Sequence, residues 1–186
     1  MGGTIYEDTR QHDGKHRVKH AWFEAHGVGL VRQKLDFGDY MRDGSNVSVD
    51  TKADVYELMG NLGAGYRRVD HECARAAEAG YRLVFLVEGG ARYAEPGELA
   101  KVASKACRKC TAYRARKCSP QSTKSGCIVR GARRKPFQGY QMIGRMKTLH
   151  TKYGAEFEFV GWRDSARRIC ELLGVEYDEQ DASGRA

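Results

Sequence analysis

The apolar positions of the chain change period several times, and each change marks an element. Thr4-Ile5-Tyr6-Glu7 reads as a short strand that ends at Asp8-Thr9-Arg10. Lys15 to Ala25 follows a helical stripe through Val18, Ala21, Trp22 and Ala25, with Gly27 as its stop. Val28 to Leu35 returns to a strand. Leu35 and Phe37, then Val47 and Val49, alternate on either side of the turn-forming run Arg42-Asp43-Gly44-Ser45-Asn46, which predicts a β-hairpin. Asp54 is placed to cap a helix carrying Val55, Leu58, Met59 and Leu62. Arg67 or Arg68 opens another, with Val69, Cys73, Ala76 and Ala77 inward and Gly80 at its end. Tyr81 to Glu88 is almost wholly apolar, as a parallel strand covered on both faces must be. After an irregular stretch, Tyr140 to Tyr153 forms a helix ended by Gly154. Glu156 to Val160 forms a strand. A last helix, capped by Asp164 or Ser165, carries Ala166, Ile169, Cys170 and Leu173 ahead of Gly174. This order predicts one α/β domain with a mixed sheet, antiparallel at the hairpin and parallel beyond it.

Counting outward from the turn sharpens the hairpin. If residues 42 and 47 close the ladder, Asp39 faces Asp50, and the two-residue period puts Lys52 on the same face as Asp50. The same register sends Leu35 and Phe37 to one face and Val47 and Val49 to the other, so both faces of the sheet need a cover. Two carboxylates brought close repel unless a cation lies between them, which makes this patch a candidate Mg²⁺ or Mn²⁺ site, with Asp8 as a further ligand. Phosphodiester hydrolysis needs an activated water and neutralised phosphoryl oxygens, and hard carboxylates with a lysine suit that reaction.

Charge distribution points to the same class of partner. The 186 residues carry a net charge of +8, yet Leu99 to Ala155 holds fifteen Lys and Arg and no acid. The remainder, with 17 basic and 24 acidic residues, is net −7. So concentrated an excess predicts a polyanionic partner. Residues 89–136 form a basic insert poor in apolar residues. Within it Cys107-x2-Cys110-x7-Cys118-x8-Cys127 has the composition of a structural Zn²⁺ site, although its second half is not a CxxC. Zinc there would hold Arg108, Lys109, Arg114, Arg116 and Lys117 against a phosphate backbone, with Arg133, Arg134 and Lys135 following. His12, His16 and His20 share one side of the first helix. Lys15, Arg17 and Lys19 interleave with them, which predicts a solvated basic face.

No run approaches the roughly 20 apolar residues of a membrane span, and the N-terminus lacks the basic and apolar regions of a signal peptide. The expected setting is the cytosol, with the six cysteines as thiols or metal ligands. Residues 1–175 are expected to form the domain and 176–186 a polar tail.

Asp8-Thr9-Arg10, Gly38-Asp39-Tyr40, Val49-Asp50-Thr51-Lys52 and Leu83 to Glu88 fall in the order and spacing of a known family. The chain resembles the XPF-type nuclease domain of the PD-(D/E)XK superfamily over residues 4–88, and residues 137–174 are similar to the close of compact phage and prophage versions. The resemblance implies a restriction-endonuclease-like sheet flanked by helices and a divalent-metal-dependent DNA endonuclease. It implies metal ligation by Asp39 and Asp50, a catalytic Lys52, and supporting or phosphate-contacting roles for Asp8, Arg10 and Arg68. Its implied partner is branched or duplex DNA, in repair, recombination or phage DNA processing at the nucleoid of a bacterial cell or in the cytoplasm of a phage-infected host, and it leaves a homodimer open. Gln11, Asp50, Thr51 and Tyr56 depart from the family's Glu, Glu, Arg and Asp. The alternative reading, from another class, is a non-catalytic nucleic-acid-binding protein with a zinc-ordered basic module. A third reading makes the substrate RNA.

Overall fold

The computed structural model describes residues 3–10, 14, 16–95, 97–119, 127 and 136–178. Six strands form one mixed sheet: β1 (Thr4–Asp8), β2 (Gly29–Gln33), β3 (Tyr40–Met41), β4 (Val47–Lys52), β5 (Arg82–Val87) and β6 (Glu156–Phe159). Their order across the sheet is β2-β1-β3-β4-β5-β6. β1 pairs parallel with β2, β3 runs antiparallel to both β1 and β4, and β4, β5 and β6 are parallel. Tyr40 faces Val49, the register counted from the turn. The hairpin is shorter than its alternation suggests, because residues 34–39 bend rather than pair and β3 keeps only two residues.

The helices are α1 (Arg17–Ala25), α2 (Val55–Leu62), α3 (Tyr66–Glu78), α4 (Lys105–Arg108), α5 (Thr111–Arg114), α6 (Gly139–Tyr153) and α7 (Ser165–Leu173). β5 explains why helices cover both faces. Leu83, Phe85 and Val87 join a core with α2, α3 and α6, while Val84 and Leu86 join a second core with α1 and α7. Phe37 belongs to the first core and Val47 and Val49 to the second, as a strand period of two requires. Asp54 caps α2 by accepting from the backbone N–H of Tyr56 (2.8 Å) and of Glu57 (2.7 Å). Gly154 and Gly174 end α6 and α7 in the left-handed conformation.

Two expectations need correction. Residues 89–136 do not lack a core throughout: Tyr93, Leu99 and Val102 pack into the first core, and Cys107 and Ala103 are buried beside them. The chain here approaches α6 so closely that a Cβ on Gly139 would lie 2.0 Å from the Leu99 carbonyl oxygen. The second correction is α1, whose buried face is His16, Lys19 and Phe23, while Val18 is 60% exposed. The apolar stripe misplaces the helix because its inner polar groups each find a partner on another element. Lys19 Nζ pairs with Glu88 Oε1 at 2.5 Å, His16 Nδ1 lies 3.0 Å from the Tyr40 hydroxyl, and His20 Nε2 lies 2.8 Å from Glu7 Oε1. Buried charge is tolerated where it is paired. His12 lies outside the described residues.

Burial pushes the His16 imidazole down to about 4, and the Lys19 charge pushes it the same way, against the smaller pull of Glu7, Asp39 and Glu88. A histidine held neutral in the folded state adds stability that is complete above about pH 6.5 and is lost as the pH falls toward 4. Between pH 7 and pH 5 the loss is expected to be about 2 kcal/mol, read as a drop in the urea unfolding midpoint. His16→Gln is expected to flatten that pH dependence. An equal drop in both proteins would assign the effect to other groups.

Candidate active site

β1, the bend before β3, and β4 each deliver one acid to the same end of the sheet. The Asp8 N–H donates to the Asp39 carbonyl (2.9 Å) and the Asp39 N–H to the Val49 carbonyl (2.8 Å), so backbone bonds tie the three segments together. Gly38 makes the approach feasible. Its φ is +67°, and a Cβ there would lie 2.2 Å from Ser48 Oγ. The four predicted polar residues are all buried: Asp8 is 2% exposed, Asp39 8%, Asp50 5% and Lys52 6%. Burying them together is the sharpest electrostatic feature of the fold.

Each has a defined partner. Lys52 Nζ donates to Asp50 Oδ1, and lies 3.4 Å from the Thr51 carbonyl and 5.7 Å from the centre of the Phe85 ring. Asp39 Oδ2 accepts from both the N–H (2.9 Å) and the hydroxyl (2.6 Å) of Thr51. Arg10 Nε donates to Asp8 Oδ2 (2.6 Å) and its guanidinium also reaches the Leu35 carbonyl (2.7 Å). The Arg10 side chain is otherwise 59% exposed, at the mouth of the cluster. Burial pushes the Asp50 carboxyl up to about 7; Lys52 pulls it back, and the charges of Asp39 and Glu72 raise it further. Burial works against the Lys52 charge, but Asp50 and Asp39 outweigh it and hold the ammonium above its ordinary value.

Two participants escaped sequence reasoning. Glu72, on α3, accepts from the Gly38 N–H (3.3 Å) and adds a carboxylate to the field around Asp50 and Arg10. The available signal was its place beside Cys73 at the edge of the inward stripe of α3. Thr51, which stands where the family pattern has Arg, orients Asp39. Glu88, the acid that follows β5, turns its side chain away from this cluster and joins α1 to α7 through Lys19 and Ser165.

The donor set suits Mg²⁺ or Mn²⁺, which takes one or two protein carboxylates and keeps waters and substrate oxygens for its other positions. Asp39 and Asp50 are the candidates for those carboxylates; burial is the main reason the Asp50 carboxyl is raised, with the Asp39 and Glu72 charges adding to it against the pull of Lys52. Among the described residues no three His, Cys, Asp or Glu side chains are gathered closely enough to hold a metal, so Asp8 does not complete a three-carboxylate site.

The same observation gives the zinc expectation no support. Cys107, Cys110, Cys118 and Cys127 are all described and all thiols, but they are not gathered. Cys107 is buried instead, and its Sγ accepts from Gln138 Nε2 at 3.3 Å. A thiol packed against α6 in this way is a core side chain.

The predicted nucleic-acid contacts are dispersed. Lys109, Arg114, Arg116 and Lys117 are exposed. Arg108 instead folds onto Tyr56, donating to its hydroxyl with its guanidinium 5.4 Å from the ring centre. Arg68 is engaged with Asn61 and with Glu72. Arg133, Arg134 and Lys135 lie outside the described residues.

No family model matches the chain, and no curated protein matches it in sequence. Solved structures do match. XPF from Aeropyrum pernix is 17% identical, with 91% of this chain and 63% of that one covered at a TM-score of 0.53. The same protein in complex with DNA is 20% identical, with 92% and 64% covered at a TM-score of 0.56. The chain therefore spans somewhat under two thirds of the length of these structures. Its fold is that of the XPF-type nuclease domain, a restriction-endonuclease-like mixed sheet between helical layers. Among the described residues no helix is long and apolar enough to cross a membrane.

Proposed function

We propose that the protein is a divalent-metal-dependent endonuclease acting on DNA. The observation that carries this reading is the joint burial of Asp39, Asp50 and Lys52 at one end of the sheet. Two acids and one lysine removed from water are costly to hold, and a cation shared by the acids repays that cost. The likeness of the fold to XPF in complex with DNA supports the choice of substrate.

Asp39 and Asp50 would hold the ion, which when bound would neutralise charge on the phosphoryl oxygens. Lys52 must then leave Asp50. Its ammonium, held charged, can donate to the attacking water or to the oxygen on which negative charge develops. Thr51 keeps Asp39 in one rotamer through two hydrogen bonds, so the acid need not reorganise when substrate arrives. Arg10, anchored by Asp8 but exposed at its tip, can take a neighbouring phosphate. Lys109, Arg114, Arg116 and Lys117 supply further positive charge for the backbone.

The test is incubation of the purified protein with linear and branched DNA. Cleavage is expected with Mg²⁺ or Mn²⁺ and none with EDTA. DNA binding without cleavage in either metal would favour the non-catalytic reading, and cutting that survives EDTA would remove the proposed metal.

A further inference from the structure

The catalytic proposal leaves unused a groove of about 320 Å³ on the other face of the sheet, between α1 and the turn before α7. Val18, Lys19, Trp22, Trp162, Arg163 and Ala166 line it. Both tryptophans of the chain are therefore here. Val18 at 60% and Trp162 at 54% are two of the three large apolar side chains exposed among the described residues. An exposed indole beside an exposed valine costs solvation free energy and calls for an occupant.

The rim indicates which occupant. The Arg163 guanidinium lies 5.1 Å from the Trp162 ring centre, and Arg17 is exposed next to Val18. The acids nearby are engaged: Asp164 lies 3.4 Å from Arg167, and Glu88 holds Lys19 and Ser165. The Arg163 guanidinium lies over one face of the indole, and a base on the opposite face with its phosphate at Arg163 matches this pairing of ring and cation. Glu88, the partner of the groove's Lys19, donates its backbone N–H to the Lys52 carbonyl at 2.8 Å, so the groove lies on the other face of the same end of the sheet.

We propose that this groove binds an unpaired nucleotide of the nucleic-acid substrate, its base stacked on Trp162 and its phosphate met by Arg163. The inference rests on the nucleic-acid partner proposed above. A paired base has both faces occupied within its own duplex, so an exposed indole gains little from intact double helix.

The experiment uses the full chain in EDTA, with a fluorescein-labelled oligothymidylate and a blunt duplex of equal length. Oligothymidylate is expected to quench tryptophan fluorescence, and Trp22→Phe to retain the quenching. Trp162→Ala is expected to weaken binding of the single strand about tenfold and of the duplex less than twofold, with Trp162→Phe close to wild type. Unchanged single-strand affinity in Trp162→Ala would overturn the proposal. So would a dimer in sedimentation that Trp162→Ala dissociates, since a second copy would then fill the groove. Stacking intact in a protein that never cleaves would sink the nuclease reading and leave the groove assigned.

Discussion

Asp50→Asn is expected to lower the rate of Mg²⁺-dependent DNA cleavage at least about a thousandfold, and Lys52→Ala to lower it as far. Cation affinity separates the two variants. Asp50→Asn removes one of two carboxylates and should lose Mn²⁺ binding together with activity. Lys52→Ala removes the ammonium that occupies Asp50 Oδ1, so it should bind Mn²⁺ at least as tightly as the wild type while failing to cut. Calorimetric titration with Mn²⁺ beside a cleavage assay on the same preparations reads both quantities. Cleavage that persists in either variant would move the chemistry away from this end of the sheet. Weaker Mn²⁺ binding in Lys52→Ala would show that the lysine assists the metal rather than competing with it.

Phe85→Ala should produce the largest loss of stability, about 3–5 kcal/mol. Phe85 is fully buried at the centre of β5 and stacks on Phe157 with ring centres 4.9 Å apart. It also lies beneath the Lys52 ammonium, so its removal opens a cavity below the catalytic cluster as well as within the core. In a chain of this size such a loss corresponds to a fall in melting temperature of roughly 10 °C. Leu86→Ala, on the other face of the same strand, is expected to cost about 2–5 kcal/mol with little effect on cleavage per folded molecule. A Phe85→Ala protein as stable as wild type, measured by urea unfolding, would contradict the close packing between α3, α6 and the sheet.

Much of this could be read from the residues alone, for reasons that are local. The turn-forming run at 42–46 and the two-residue strand period suffice to set Tyr40 opposite Val49, because register in a hairpin is a matter of counting. The unbroken apolar run of β5 implies a cover on both faces, since exposing one would leave Leu83, Phe85 and Val87 in water and exposing the other Val84 and Leu86. Capping by Asp54 and termination by Gly154 and Gly174 depend only on backbone geometry within a turn or two.

Tertiary structure decided what periodicity ignores. Apolar counting turned α1 the wrong way because Lys19 and His16 are buried by partners as distant in sequence as Glu88 and Tyr40. The cysteine spacing admitted zinc, but spacing carries no direction, and Cys107 spends its thiol on the core beside Gln138. Glu72 reaches the cluster of Asp39, Asp50 and Lys52 only because α3 packs across the first face of the sheet, a contact that no motif encodes. The sequence by itself determined the strand register, the paired acids with their lysine, and the need for two helical layers. Only the fold decided which charged groups are buried, because burial depends on a partner supplied from far along the chain.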